Sequence, residues 1–83
     1  MSIQKNKVVL SPSQCRAARA MLQWSQDDLA KAAGVAKQTL ADFEREARQP
    51  YERTLADIQA ALEGAGIIIA KDGCVCPSNK KNL

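Results

Sequence analysis

Residues 26–43 read QDDLAKAAGVAKQTLADF, and the placing of small and apolar residues in this stretch decides the fold. Ala30 lacks the bulk that would keep one helix from approaching another. Gly34 stands where the chain must turn through a left-handed or otherwise crowded conformation. Leu29, Ala33, Val35, Leu40 and Phe43 supply an apolar seam on both sides of that turn. Two short helices crossed at a sharp angle need these residue types at these places, so the stretch reads as a helix-turn-helix.

The flanking residues supply the rest of a helical domain. Ser11-Pro12-Ser13-Gln14 starts a first helix, with Ser11 as N-cap, Pro12 at the first helical position and Gln14 reaching back as capping-box partner. That helix is expected to run to about Gln23 with Cys15, Ala18, Met21 and Leu22 on its buried stripe, and Trp24 closes the core from the following turn. Ser25 with Asp28 repeats the capping box and opens a second helix over 26–33, whose first turn carries Asp27 and Asp28 where the helix dipole favours them. A third helix is expected over about 36–46. A fourth follows Pro50, with Leu55, Ile58, Ala61 and Leu62 on one face and Gly64 as its stop.

Beyond Gly64 the pattern changes. GIIIAKDGCVC offers a β-branched run, an Asp72-Gly73 turn and a second short run, which is a hairpin signal. With Asp72 and Gly73 as the two loop residues, Lys71 faces Cys74, Ile69 faces Cys76, and both thiols share one face. A two-stranded hairpin alone is marginal. A third strand is therefore expected, either from Lys7 to Leu10 (KVVL) or from the matching hairpin of another copy. The expected organisation is an N-terminal arm over 1–10, a helical domain over 11–64, a hairpin over 65–76 that serves as a dimerisation element, and a disordered basic tail over 77–83. The fold class is mostly α, four compact helices with a short C-terminal β-hairpin.

Composition sets the outer bounds. Eighty-three residues give one domain, and a domain this small buries only about 60% of the surface its unfolded chain exposes, so a partner subunit would help it. With 46% hydrophobic and 25% charged residues the chain is an ordinary globular one, and with 4% aromatics its core is built from Leu, Ile, Val and Ala. The formal charge of +3 leans toward an anionic partner. Met1 to Lys7 is polar, and the most apolar run, Ile67 to Ala70, is far short of the roughly 20 residues of a membrane span, so a cytoplasmic protein with no membrane partner is expected.

Catalysis finds no support. The chain has no histidine, no phosphate-cradling loop among its four glycines, and no paired nucleophile and base, so neither an enzyme nor a cofactor is expected. Three cysteines without histidine fall short of a four-ligand zinc pattern, so no metal site is expected. Cys74 and Cys76 read as small apolar fillers, the sharper alternative being a redox or metal-sensing role for which only Lys71 stands near enough to lower a thiol pKa.

Winding the third helix with Leu40 and Phe43 inward leaves Lys37, Gln38, Ala41, Asp42 and Arg45 on the opposite face. That face suits a DNA major groove. Gln38 can pair with the N6 and N7 edge of adenine, Lys37 can donate to guanine or to a phosphate, Ala41 can take a thymine methyl, and Asp42 can accept from cytosine N4. Asp42 also repels phosphate, and so acts partly by rejecting wrong sequences. Phosphates would be met by the start of the second helix with Gln26, by Thr39, and by Arg45, Arg48, Tyr51 and Arg53, although each arginine taken singly also fits a solvated surface. Glu44 falls near the inward edge of the same wheel and needs a cation, for which Arg19 is the candidate.

From Arg16 to Leu62, the run RAARAMLQWSQDDLAKAAGVAKQTLADFER with Pro50 and Thr54-Leu55 behind it resembles the Cro and phage-repressor type of helix-turn-helix, the XRE family. The resemblance implies a lambda-repressor-like domain and a transcription regulator, commonly a repressor, that binds a (pseudo)palindromic double-stranded DNA operator as a homodimer. It also implies phosphate contact by Gln26, base contacts by Lys37, Gln38 and Asp42, and an ion pair between Arg19 and Glu44. Two positions depart from the family. Glu46 stands where glycine is common, which predicts a third helix that runs longer or ends less sharply. Ala36 stands where a Ser, Thr or Asp N-cap is usual, at a cost of about 1 kcal/mol. The alternative on the same fold is an antitoxin or anti-activator module whose main partner is a protein; in either case the hairpin lies outside the resemblance.

Overall fold

Among the described residues, four helices and a two-stranded antiparallel sheet follow one another: α1 (Pro12–Leu22), α2 (Gln26–Ala33), α3 (Lys37–Glu44), α4 (Glu52–Gly64), β1 (Ile67–Ile69) and β2 (Val75–Pro77). The computed structural model describes residues 9–70 and 74–77.

Two helices start on reciprocal caps. Ser11 Oγ accepts from the Gln14 amide at 3.2 Å while Gln14 Oε1 accepts from the Ser11 amide at 2.8 Å. Ser25 and Asp28 repeat the pair at 3.0 and 2.9 Å, and the Ser25 hydrogen bonds hold the Asp28 carboxyl below its ordinary value. α3 and α4 start on Ala36 and Tyr51 with no side-chain cap.

Three helices end alike. After α1, α2 and α3 the chain enters the left-handed region at Gln23 (φ 60), Gly34 (φ 72) and Glu46 (φ 60). Each time the next amide reaches back five residues: Trp24 to Arg19 O at 2.9 Å, Val35 to Ala30 O at 3.0 Å, and Ala47 to Asp42 O at 2.8 Å. This Schellman ending satisfies carbonyls that a helix terminus would leave open. A Cβ built at Gly34 would meet nothing within 4 Å, so conformation and not close approach is what asks for glycine there. The expected extension of α3 over 36–46 is corrected: it spans Lys37–Glu44, and it ends as sharply with Glu46 as with glycine. The cost is the left-handed strain of a residue with a Cβ, about 1 kcal/mol.

The core is continuous across all elements. Phe43, Leu29, Leu40, Ile58, Leu62 and Cys15 are its largest fully buried side chains. Ala33, Val35, Leu22, Trp24 and Ala61 pack against it from partly buried positions. Cys15 and Ala18 are buried on the stripe of α1 as expected, whereas Met21 is 42% exposed and Gln14 is buried in addition. The burial of Gln14 is satisfied by a hydrogen bond: its Nε2 donates to the Ala70 carbonyl at 2.9 Å, tying α1 to the hairpin.

β1 packs against α4 and β2 against α1. The register pairs Ile67 with Pro77, Ile68 with Cys76 and Ile69 with Val75, and the Ala70 amide donates to Cys74 O at 2.9 Å. This corrects the sequence register by one residue, because a pair at Ala70 and Cys74 leaves three residues for the connection where two were expected. A one-residue shift exchanges the faces of one strand relative to its partner. Cys76 therefore lies opposite exposed Ile68, not buried Ile69, and the two thiols are not fillers of the core. Lys71 and the Asp72-Gly73 turn lie outside the described residues.

Val9 and Leu10 form no strand; Leu10 is buried in the core, and the Val9 amide donates to Gln59 Oε1 at 2.9 Å. Residues 1–8 and 78–83, including the rest of the KVVL segment and most of the basic tail, lie outside the described residues, while Pro77 belongs to β2.

Candidate nucleic-acid interface

The outward face of α3 is ordered by one carboxylate. Lys37, Gln38 and Arg45 are exposed, and Ala41 and Asp42 are half-buried between them. Asp42 Oδ1 accepts from Arg45 Nη2 at 2.8 Å and from Gln38 Nε2 at 3.0 Å. The Arg45 guanidinium first, and the Gln38 amide second, hold the Asp42 carboxyl below its ordinary value. Only the amide nitrogen can face a carboxylate, so the orientation of Gln38 is set. Its second N–H and its Oε1 then form a donor and acceptor pair of the kind adenine N7 and N6 require. Lys37 Nζ lies 3.6 Å from Asp27 Oδ1 on the first turn of α2. Both groups are largely exposed, so the pair is weak.

Behind this face Glu44 joins three helices. It is 3% exposed, and Arg19 grips it through Nε and Nη2, each at 2.8 Å. Gln26 Nε2 donates at 3.0 Å and Cys15 Sγ at 3.1 Å, and Arg16 Nη1 donates to the Glu44 carbonyl. Burial on its own would raise the Glu44 pKa. The hydrogen bonds from Arg19, Gln26 and Cys15 outweigh it and hold the carboxyl below its ordinary value. The Cys15 thiol is pushed well above its ordinary value, by burial first and by Glu44 next, so it stays protonated and donates.

This geometry revises one expected phosphate contact. One amide hydrogen of Gln26 is committed to Glu44, so a single N–H is left to reach a phosphate from the start of α2. On the other flank, Thr39, Arg48, Gln49, Pro50, Tyr51 and Thr54 line an open groove of about 300 Å³. It brings together Thr39, Arg48 and Tyr51 from the sequence reading, and adds Gln49 and Thr54, which that reading missed. Pro50 was the available signal: a helix start after proline brings the open amides of its first turn to the same place. Tyr51 is 85% exposed. Arg53 is exposed but does not line this groove, and Arg45 is turned to Asp42.

The site is an outward-facing short helix bracketed by two helix starts. A sequence model described as Helix-turn-helix matches residues 16–64. The chain belongs to the Cro/C1-type helix-turn-helix family, the XRE family. This XRE-family domain makes the protein a DNA-binding transcription regulator. The match begins inside α1 and closes with α4, so the XRE-family region excludes the hairpin. No curated protein matches the chain. Among the described residues no helix is long and apolar enough to cross a membrane.

Proposed function

We propose that this XRE-family protein is a cytoplasmic repressor that reads a pseudo-palindromic operator as a homodimer. The observation that carries the reading is the bracket around α3: Lys37 beside Asp27 on the start of α2, and Thr39 in one groove with Arg48, Tyr51 and Thr54 at the start of α4. Inserted in a major groove, α3 would present Lys37, Gln38 and Ala41 to base edges while both brackets meet phosphates on the two strands. In this reading Asp42 mainly orients Gln38 and Arg45, and reads cytosine less than the sequence suggested.

Two chains would occupy half-sites about one helical turn apart. The test is a fluorescence-anisotropy titration of the protein against DNA from upstream of its own gene and against a scrambled duplex, at two salt concentrations. The expected result is preference for the upstream duplex, two chains per site, and a salt slope near 0.9 per phosphate with roughly five phosphates per half-site. Equal, weak binding to both duplexes would remove the groove-reading role.

A further inference from the structure

The outer face of the hairpin carries chemistry that DNA reading does not use. Cys74 Sγ and Cys76 Sγ lie 3.5 Å apart on that face, beside Ile68, which is 52% exposed. Tetrahedral coordination with Zn–S bonds of about 2.3 Å sets two thiolates about 3.8 Å apart. The pair is therefore within a few tenths of an ångström of a chelating geometry with no movement of the backbone. A disulfide would need the sulfurs to close to about 2.05 Å between residues whose side chains stand side by side on one strand, which strains the bond.

Two thiolates are half of a closed site. The chain has no histidine and only one further cysteine, Cys15, which is buried and donates to Glu44. Among the described residues no group of three or more His, Cys, Asp or Glu is placed to hold a metal ion. The missing pair of soft ligands is present on a second copy of the same chain. Two hairpins meeting face to face about a two-fold axis would supply four sulfurs to one ion and bring the two exposed Ile68 side chains together around it.

We propose that Cys74 and Cys76 are a half-site for a thiophilic divalent metal of the zinc class, completed by the same pair on a second copy. Binding is one Zn²⁺ exchanged for the four thiol protons, which leave to solvent, with no change of oxidation state. The resulting site carries two negative charges between two chains of formal charge +3 each. The proposal is independent of which DNA is read, and shares with the proposed function only an assembly of two chains.

The test uses the full chain, reduced and freed of metal, titrated with Zn²⁺ against a chromophoric chelator while its mass is followed by sedimentation. The expected result is one ion per two chains with conversion of monomer to dimer. Co²⁺ in place of Zn²⁺ should give the visible bands of a tetrahedral tetrathiolate. Cys74→Ser and Cys76→Ser should each abolish both effects while keeping the parent melting temperature, and Cys15→Ala should keep both effects. Loss of the metal effect in the two serine variants with an unchanged melt separates ligand loss from misfolding. Three results would each overturn the proposal: no zinc taken up at micromolar concentration, one ion per chain without dimerisation, or a dimer that forms equally well in the presence of a chelator. The last would leave the operator-reading dimer standing.

Discussion

Replacing Glu44 by alanine removes the acceptor for four donor atoms at once: Arg19 Nε and Nη2, Gln26 Nε2 and Cys15 Sγ. The largest loss is at Arg19, whose guanidinium keeps its partial burial and loses its counter-charge. Breaking a buried pair by removing one partner costs about 3–5 kcal/mol. Arg19 retains 20% exposure and can draw some water, so the lower end, about 3 kcal/mol, is expected. A chain of 83 residues has a total stability of about 4–12 kcal/mol, so one substitution removes a quarter or more of it. At about 4–8 °C per kcal/mol, the melting temperature should fall by roughly 12–24 °C. Thermal melts followed by circular dichroism are taken on Glu44→Ala and on a cycle of Glu44→Leu, Arg19→Met and the double variant Arg19→Met/Glu44→Leu. The double variant should recover much of the loss, because neither charge is stranded. A Glu44→Ala variant within about 1 kcal/mol of the parent, or a double variant no more stable than the singles, would refute the reasoning.

Acid should act through the same carboxylate. The folded Glu44 pKa lies below its ordinary 4.5, so its contribution is complete above that pH and is lost as the pH falls through the lower folded value. The parent melt should therefore drop in acid more steeply than that of Glu44→Ala. Glu46→Gly should raise stability by up to about 1 kcal/mol by relieving the positive φ, and a lower melting temperature would contradict the strain assigned there. Gln38→Ala should cost about 1–3 kcal/mol on the preferred duplex and relax preference at one base pair, whereas Arg48→Ala should weaken all duplexes alike; binding titrations on single-base operator variants separate the two. Asp42→Ala should bind random DNA more tightly, having lost a negative charge, and discriminate less, having lost the brace on Gln38. An unchanged ratio of preferred to random affinity would remove the bracing role.

The helices were legible because their signals are local. Ser11 with Gln14, and Ser25 with Asp28, are capping boxes that sequence spacing alone can reveal, and the seam from Leu29 to Phe43 follows from helical periodicity. Where a signal was read through a residue type, it misled. Glutamate at 46 suggested a longer α3, but the Schellman hydrogen bonds of Glu46 and Ala47 impose the left-handed turn on a residue that does not favour it. The hairpin register turned on one residue of loop length, which a dipeptide signal cannot fix against packing of Ile67 and Ile69 on the helices. The groove at the start of α4 assembles Thr39 with residues 48–54 through tertiary packing, so Gln49 and Thr54 carried no sign in sequence of the company they keep. Gln26 is expected from sequence as a phosphate contact, but its bond to Glu44 carries no sign in sequence, since it depends on how α2 crosses α3.

Gln14 has a consequence for which copy of an ambiguous segment the fold accepts. β1 is three identical isoleucines, so sliding it by one residue would still bring an isoleucine, Ile68, to the core, while Gly66 or Ala70 would take the second buried place. Burial counts against that error through one lost isoleucine side chain. The amide of Gln14 counts against it separately, because it needs a carbonyl oxygen at one point in space, and Ala70, 56 residues away, supplies it. A leucine at position 14 would keep apolar contact with the ribbon and lose that polar check on where it lies. The glutamine gives the least distinctive stretch of the chain a second address, and the register it supports is the one that sets Cys76 opposite Ile68.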